Sequence, residues 1–432
     1  MANLPVRIIP RDEHPVSRKN ISPSALKVMY RLENAGFKAY LVGGCIRDLL
    51  LGIQPKDFDI ATDAHPEQVH KLFSNSRLIG RRFKLVHVLF GREVIEVATF
   101  RGTSESSAAQ QQTAEGMLTR DNVYGTIEED AIRRDFTANA LYYSATDFKV
   151  YDYCGALADI EAKTLRLIGE PEERYREDPV RMLRAVRFAE KLNFRIEENA
   201  EHKINELSHL MSLVAPARLF DEVIKLFVSG SGHDIFDRLY GSGLFKSMFP
   251  NVHHAITNNT EGYYLAFIKA ALKNTDKRVA QDKPITPAFL YASLLWPEVH
   301  RIWQQKMSEG LSEFPALQQA AHQAVETQLS NVMIPKRFIL QMREIWEMQI
   351  RLVKNTSRRA AQLVTHPRFR AGYDFLLLRE QSQEIEPGLG QWWTQYQVEN
   401  PVATASRSRS NGNKRPSPRR RPNNRRNTKR PQ

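Results

Sequence analysis

The sequence predicts an α+β head, then an all-helical remainder and a basic C-terminal tail. Three observations carry this. Four short segments, KAYLV, DFDIAT, FKLVHVLF and EVIEVATF, read as strands, three of them rich in β-branched or aromatic residues. Beyond about residue 170 such segments stop and amphipathic helical patterns take over, among them DPVRMLRAVRFAEKL, PARLFDEVIKLFVSG and PKRFILQMREIWEMQIRLV. Residues 406–432 hold 11 Lys or Arg, no acid and almost nothing apolar, a composition expected to stay disordered.

In chain order, residues 1–22 look irregular. Ser22-Pro23 then supplies an N-cap and a first-turn proline for a helix that Gly36 closes. Residues 23–170 form the expected head, with the polar stretch 102–122 as a mobile loop. Residues 171–255 are expected to be a helical neck, 256–398 a helical body and 399–432 the tail. No internal repeat is visible.

At 432 residues, with 42% hydrophobic and 26% charged residues, the chain suits a soluble multidomain protein. The apolar run FLYASLLW is too short to span a bilayer, and MANLPVRIIPRDEH lacks a secretion-signal pattern. Cys45 and Cys154 are far apart and form no CxxC, which excludes a disulfide framework or a cysteine zinc site. A cytoplasmic location is expected. Of the net charge of +13, the tail carries nearly all; such an arm binds polyanions through counterion release.

The chemistry concentrates in LVGGCIRDLLLGIQPKDFDIAT, residues 41–62. In an extended segment Asp57 and Asp59 project to one face while Phe58 turns to the core. Two like charges held there call for a hard cation such as Mg²⁺, which keeps positions free for water and phosphate. A bare DxD is more often a solvent-facing pair, but here Gly43 and Gly44 lie upstream, between a strand and a helix. Glycines in such a turn let backbone N–H groups approach a phosphate. With Arg47 one turn into the helix, the set reads as a triphosphate-plus-metal site. Glu96, a charge among apolar neighbours in EVIEVATFR, needs a metal or basic partner. Arg133, Arg134 and Asp135 precede a further apolar strand, and either Glu96 or Asp135 could complete a carboxylate cluster. Asp135 could equally bond locally, as the cap of the following turn.

In YREDPVRMLRAVRFAEKLNF, Asp178, Arg181, Arg184 and Arg187 recur in steps of three, with Met182, Val186 and Ala189 as the buried stripe. A plain solvated face explains the spacing too. Alternatively, Asp178 accepts and Arg181 donates along one base edge. That pattern admits adenine or cytosine and rejects guanine and uracil. Arg184 and Arg187 would then reach towards phosphates.

LVGGCIRDLLLG…KDFDIAT, EVATFR, RRDFTANALYY and EDPVRMLRAVRFA together resemble class II of the nucleotidyltransferase superfamily. That class comprises bacterial poly(A) polymerases and CCA-adding tRNA nucleotidyltransferases. LIGRRFKLVHVLFG, RDNVYGTIEEDAIRRDFTANALYY, IPKRFILQMREIW, HPRFRAGYDFLLLRE and the Arg-rich tail are more similar to the poly(A) branch. The resemblance implies a nucleotidyltransferase-type head of mixed sheet and helices. It implies addition of AMP from ATP to RNA 3′ ends, with release of pyrophosphate, and two divalent ions, Mg²⁺ or Mn²⁺. RNA-decay proteins are further expected partners. By the same resemblance Gly43, Gly44 and Arg47 contact the triphosphate, and Asp57 and Asp59 hold the metals. Arg134 and Asp135 contact nucleotide and support catalysis, Asp178 and Arg181 template the base, and Arg184 and Arg187 complete the phosphate side. Cys45 stands where a Gly or Ala is more usual.

The tail yields a test that separates binding from chemistry. Deleting residues 406–432 is expected to weaken RNA binding at low salt and flatten its salt dependence, with turnover at saturating RNA little changed. Binding titrations across salt, with one rate at high RNA, measure both; equal salt slopes would remove the tail from RNA contact.

Overall fold

In the computed structural model, residues 5–80, 84–102, 110–112, 118–121, 123–354 and 356–401 are described. The tail from residue 402 onward, Arg81 to Phe83 and most of the 102–122 loop lie outside them. The strands are β1 (Arg7–Ile9), β2 (Ala39–Val42), β3 (Asp59–Thr62), β4 (Ser76–Ile79), β5 (Leu85–Phe90), β6 (Glu93–Thr99), β7 (Gln110–Gln112), β8 (Leu118–Asp121), β9 (Leu141–Tyr143), β10 (Val150–Asp152), β11 (Thr164–Leu165) and β12 (Arg195–Ile196). Eight of them make one sheet in the order β1-β10-β9-β2-β3-β6-β5-β4. Every pairing in it is antiparallel except β3 with β6. This is the expected α+β head.

The four strands read from the sequence are present. Helix Pro23–Asn34 also begins as expected: the Ser22 hydroxyl accepts from the Ser24 N–H, and Gly36 follows the helix at φ 87°. Three expectations need correction. Residues 1–22 are not irregular throughout, since β1 forms the sheet edge; three residues are too few to show an alternation. The 102–122 loop contains an antiparallel ribbon, β7 with β8, which its run of glutamines conceals because they favour no strand face. Among the described residues after 170 one two-residue strand remains: β12 pairs in parallel with β11 and so stitches the neck to the head.

One face of the sheet buries Leu41, Ile60, Val86, Val88, Ile95 and Val97 against helix Pro23–Asn34. The other packs Val42, Ala61, Phe100 and Tyr142 against helix Ile127–Arg133. A separate, larger core runs through the helices from Tyr175 to Leu378 and takes in Phe136, Leu165 and Leu167 from the end of the head. Head and neck therefore share buried apolar surface where the chain passes between them. No helix among the described residues is long and apolar enough to cross a membrane.

Candidate active site

The sheet register brings the distant motifs together. Val42 pairs with Asp59 across β2 and β3, and Asp59 pairs with Glu96 across β3 and β6. Gly43, the residue after Val42, therefore turns away beside Asp59. Asp57 precedes the strand rather than lying in it, yet the alternation holds: Asp57 and Asp59 are exposed and Phe58 is buried. Gly43 sits at φ 80° and ψ −138°, a region open essentially to glycine. A Cβ on Gly44 would lie 3.2 Å from Nη2 of Arg47, so glycine leaves room for that guanidinium to fold back. The helix that follows, Gly44–Leu50, is only seven residues long, so its dipole contributes less than a long helix would. The Cys45 thiol fits inside the turn, donating to the Val42 carbonyl. Burial, with Asp59 nearby, pushes its pKa up to about 12, which leaves it an inert thiol.

Arg47 does not face the solvent. It is 2% exposed, its Nε and Nη2 donate to Asp48 Oδ1 at 2.9 and 2.6 Å, and its Nη1 donates to Asn139. Arg134 is buried beside the glycine turn: Nη2 donates to Asp130 at 2.9 Å and Nε to the Tyr142 hydroxyl at 2.9 Å. Burial works against the ionised Asp130, but Arg134, Arg101 and Tyr142 outweigh it and hold the carboxyl at about 2.

The two candidate third carboxylates sit in different surroundings. Asp135 Oδ2 accepts from Arg184 Nε at 2.7 Å, and Oδ1 accepts from Asn139 and the Phe136 N–H. Burial opposes its charge, yet Arg184 and these donors keep it well below the usual carboxylate range. It is not among the charges acting on Asp59. Glu96 is, but Glu96 also lies 3.4 Å from His87 Nε2. Among the described residues no group of three or more acidic, His or Cys side chains is arranged to hold a metal ion alone. Asp57 and Asp59 remain as hard oxygen donors, and substrate phosphates and water can fill the other positions of a Mg²⁺ shell.

The expected ridge of four on one helix is also corrected. The helix is Val180–Leu192; Asp178 caps the preceding helix Pro171–Glu177 at φ −152°, because a residue before proline avoids helical geometry. Arg181 Nη1 donates to Glu177 and to the Arg174 carbonyl, both at 2.7 Å. Met182, Val186 and Ala189 are buried as expected. Arg184 and Arg187 converge with Arg47 on one ring: their guanidinium carbons lie 5.2, 4.5 and 5.4 Å from the centre of Phe188. Burial, then Arg184, lowers the pKa of Arg187, whose Nε is buried with no hydrogen-bond partner. This is a concentration of positive charge that an anion would relieve.

Several site residues escaped the sequence reading. Asp130, Tyr142 and Asn139 fix the head arginines. Arg174 Nη2 donates to the carbonyls of Arg133 and Arg134 at 2.9 and 2.8 Å, tying neck to head. Phe188, four residues after Arg184, could have been found as an aromatic among arginines. Arg174 carried no local signal.

Asp59 supplies a test. Although the residue keeps a solvent-open face, the protein packed around its carboxyl disfavours the charge and raises its pKa to about 6; Glu96 and Asp57 add to the rise, and Arg134 opposes it. An acid whose pKa is higher folded than unfolded binds more protons in the fold, so stability falls as pH rises from its ordinary 3.8 through about 6. Without divalent metal, Asp59→Asn should therefore melt above the parent at about pH 8, with the gap closing near about pH 4. Melts in chelator across pH measure this; a parent equal to or more stable than the variant at the higher pH would refute it.

Comparison with known proteins places this geometry in a family. Three family models match: Poly A polymerase head domain over residues 39–166, "Probable RNA and SrmB- binding site of polymerase A" over 193–256, and Polymerase A arginine-rich C-terminus over 309–428. Poly(A) polymerase I of Salmonella typhi is 48% identical over 402 residues, covering 91% of this chain and 86% of that protein. That of Haemophilus influenzae is 44% identical, covering 91% and 88%. A CCA-adding enzyme of Lactobacillus helveticus is 38% identical, but over 49% of this chain and 51% of its own. The Thermotoga maritima CCA-adding enzyme complexed with tRNA shares the fold, with TM-score 0.59 at 18% identity over 91% of this chain and 85% of that one. The chain belongs to the bacterial poly(A) polymerase I family, within the nucleotidyltransferases.

Proposed function

We propose that the protein is a polynucleotide adenylyltransferase: it adds AMP from ATP to RNA 3′ ends and releases pyrophosphate. The observation that carries this reading is the register Val42–Asp59–Glu96, which sets the glycine turn beside an uncompensated pair of aspartates. Similarity to poly(A) polymerase I over the helical body as well as the head favours AMP addition over CCA addition.

Each group then has a task. Asp57 and Asp59 would hold two divalent ions, Mg²⁺ or Mn²⁺, and the raised proton affinity of Asp59 marks negative charge that a cation would offset. When bound, such ions neutralise charge on the entering and leaving oxygens. The backbone at Gly43 and Gly44 admits the triphosphate, and Arg184 and Arg187, with the unpartnered Nε of Arg187, face its charge. Arg47 and Arg134 lend positive potential from behind the turn. Asp135 orients Arg184 and is a positioning residue rather than a metal ligand. Asp178 accepts from the base amino group and Arg181 donates to the adjacent ring nitrogen. The 3′-hydroxyl oxygen attacks the α-phosphorus, the bond to the β-phosphate oxygen breaks, and pyrophosphate leaves. The Arg-rich tail holds upstream phosphates, and proteins of RNA decay are the partners expected for the product.

Incubation with a 3′-hydroxyl RNA and each of the four nucleotides separately, with sizing of products, tests the reading. Long extension with ATP and almost none with GTP or UTP is expected; a single C addition to tRNA-like ends would favour the CCA-adding alternative. Asp57→Ala or Asp59→Ala should lower the rate by at least about 100-fold, since charge stabilisation at the transferring phosphate is worth several kcal/mol. RNA binding should remain. Retention of a tenth or more of the parent's activity in either folded variant would remove that residue from the metal role.

A further inference from the structure

Three arginines among the described residues bury an Nε that has no hydrogen-bond partner: Arg174, Arg187 and Arg343. The first two stand where neck meets head, Arg174 on the carbonyls of Arg133 and Arg134 and Arg187 over Phe188. Arg343 is elsewhere, on helix Lys336–Val353 of the body, opposite helix Glu313–Leu329. Leu317, Gln318 and Ala321 on one helix and Arg343, Trp346 and Glu347 on the other lie within a turn of each other. Together they line a cavity of about 280 Å³.

Its floor is apolar and its polar groups are unspent. Trp346, Leu317 and Ala321 are buried, and the Trp346 indole is pinned by donating to the Ala292 carbonyl at 3.1 Å. Arg343 is a donor without a good acceptor: besides its orphan Nε, its Nη2 lies 3.4 Å from His322 Nδ1, a long and weak contact. A buried N–H left unmet is costly, and folded proteins rarely keep one. Glu347 is the acceptor beside it. It approaches Arg351 only to 3.8 Å, beyond hydrogen-bond reach, whereas neighbouring Glu344 is spent on Arg368 at 2.8 Å.

We propose that this cavity is a second base site, which takes an adenine of the RNA tail already made, apart from the reacting 3′ end. Size argues first. Ligand pockets typically begin near ~300 Å³, so this one suits a single flat ring rather than a whole nucleoside triphosphate. Chemistry argues second: the apolar floor covers the ring, Arg343 donates to a ring nitrogen and Glu347 accepts from an amino group. Adenine offers that pairing on two edges, N1 with N6 and N7 with N6, and covers more apolar wall than a pyrimidine. The strand's phosphates stay outside, within reach of Arg351 and His322, whose side chains are 46% and 67% exposed. The choice of adenine over guanine rests on the adenylyltransferase reading above, because its product carries adenine at every added position.

The test is equilibrium binding, by the full chain, of two RNAs that share one 3′-terminal sequence and carry oligo(A) or oligo(U) upstream. Circular dichroism melts confirm folding of each variant. The parent should bind the oligo(A) RNA more tightly. Arg343→Lys keeps the charge but has no Nε–H, so it should weaken oligo(A) binding by about tenfold and leave oligo(U) binding unchanged. Glu347→Lys adds positive charge, which raises affinity for any polyanion, yet it should lower oligo(A) binding relative to oligo(U). Equal changes for both RNAs, or none, would make the cavity a phosphate contact or a structural void and overturn the proposal. ATP binding is counted by equilibrium dialysis. A second ATP bound by the parent and lost in Arg343→Lys would assign the cavity to free nucleotide and overturn the RNA assignment. Extension with ATP at saturating primer is measured alongside and should be unaffected by either change. If the parent itself adds no AMP, the adenylyltransferase reading fails, while the binding comparison still decides the cavity.

Discussion

The half-buried ion pair between Asp135 and Arg184 is the contact on which the site depends. It joins the turn after head helix Ile127–Arg133 to the neck helix Val180–Leu192, and each partner brings its own neighbours with it. Asp135 is anchored by Asn139, which also receives Arg47. Arg184 shares Phe188 with Arg47 and Arg187. One ion pair therefore sets the distance between the glycine turn on the sheet and the arginines of the helix. Removing either partner would leave a charge buried without compensation, which costs more than the pair gains when intact.

Around that joint the electrostatics divide into two zones. At the N-terminal end of β3, in the middle of the sheet, desolvation together with repulsion from Glu96 and Asp57 makes Asp59 reluctant to ionise. Where neck meets head, Arg47, Arg184 and Arg187 crowd one aromatic ring, and burial, then Arg184, weakens the proton hold of Arg187. Both zones are unfavourable alone. A nucleoside triphosphate with its divalent cations supplies positive charge to the first and negative charge to the second, so the free protein is shaped to gain from binding that particular combination. Asp130, held at about 2 by Arg134, Arg101 and Tyr142 despite its burial, is the counterexample: fully compensated, it serves as scaffold.

Much of this was legible in the sequence. The strands of the head announced themselves through β-branched runs, and the alternation of Asp57, Phe58 and Asp59 set which side chains face out. The helix stripe of Met182, Val186 and Ala189 followed from period. What the sequence concealed was long-range pairing. Nothing local says that Glu96 will lie in register with Asp59, or that Asp135 will pair with Arg184; those follow from sheet order and from docking of the neck. Pro179 did carry a local signal, since a residue before proline leaves the helix, and it removes Asp178 from the ridge that simple spacing suggests. Arg47 shows the limit of motif reading most clearly. Its place one turn after the glycines suggests a phosphate contact, whereas Asp48 and Asn139 draw it into the interior.

The central claim is that head and neck build one nucleotide site through the Asp135–Arg184 joint. A double-mutant cycle of Asp135→Asn and Arg184→Gln, read as ATP affinity in the presence of Mg²⁺, tests it most directly. The account predicts that each single change weakens binding and that the double change is no worse than the poorer single, a coupling of roughly 0.5–3 kcal/mol. Additive losses, or affinity untouched by either change, would contradict it.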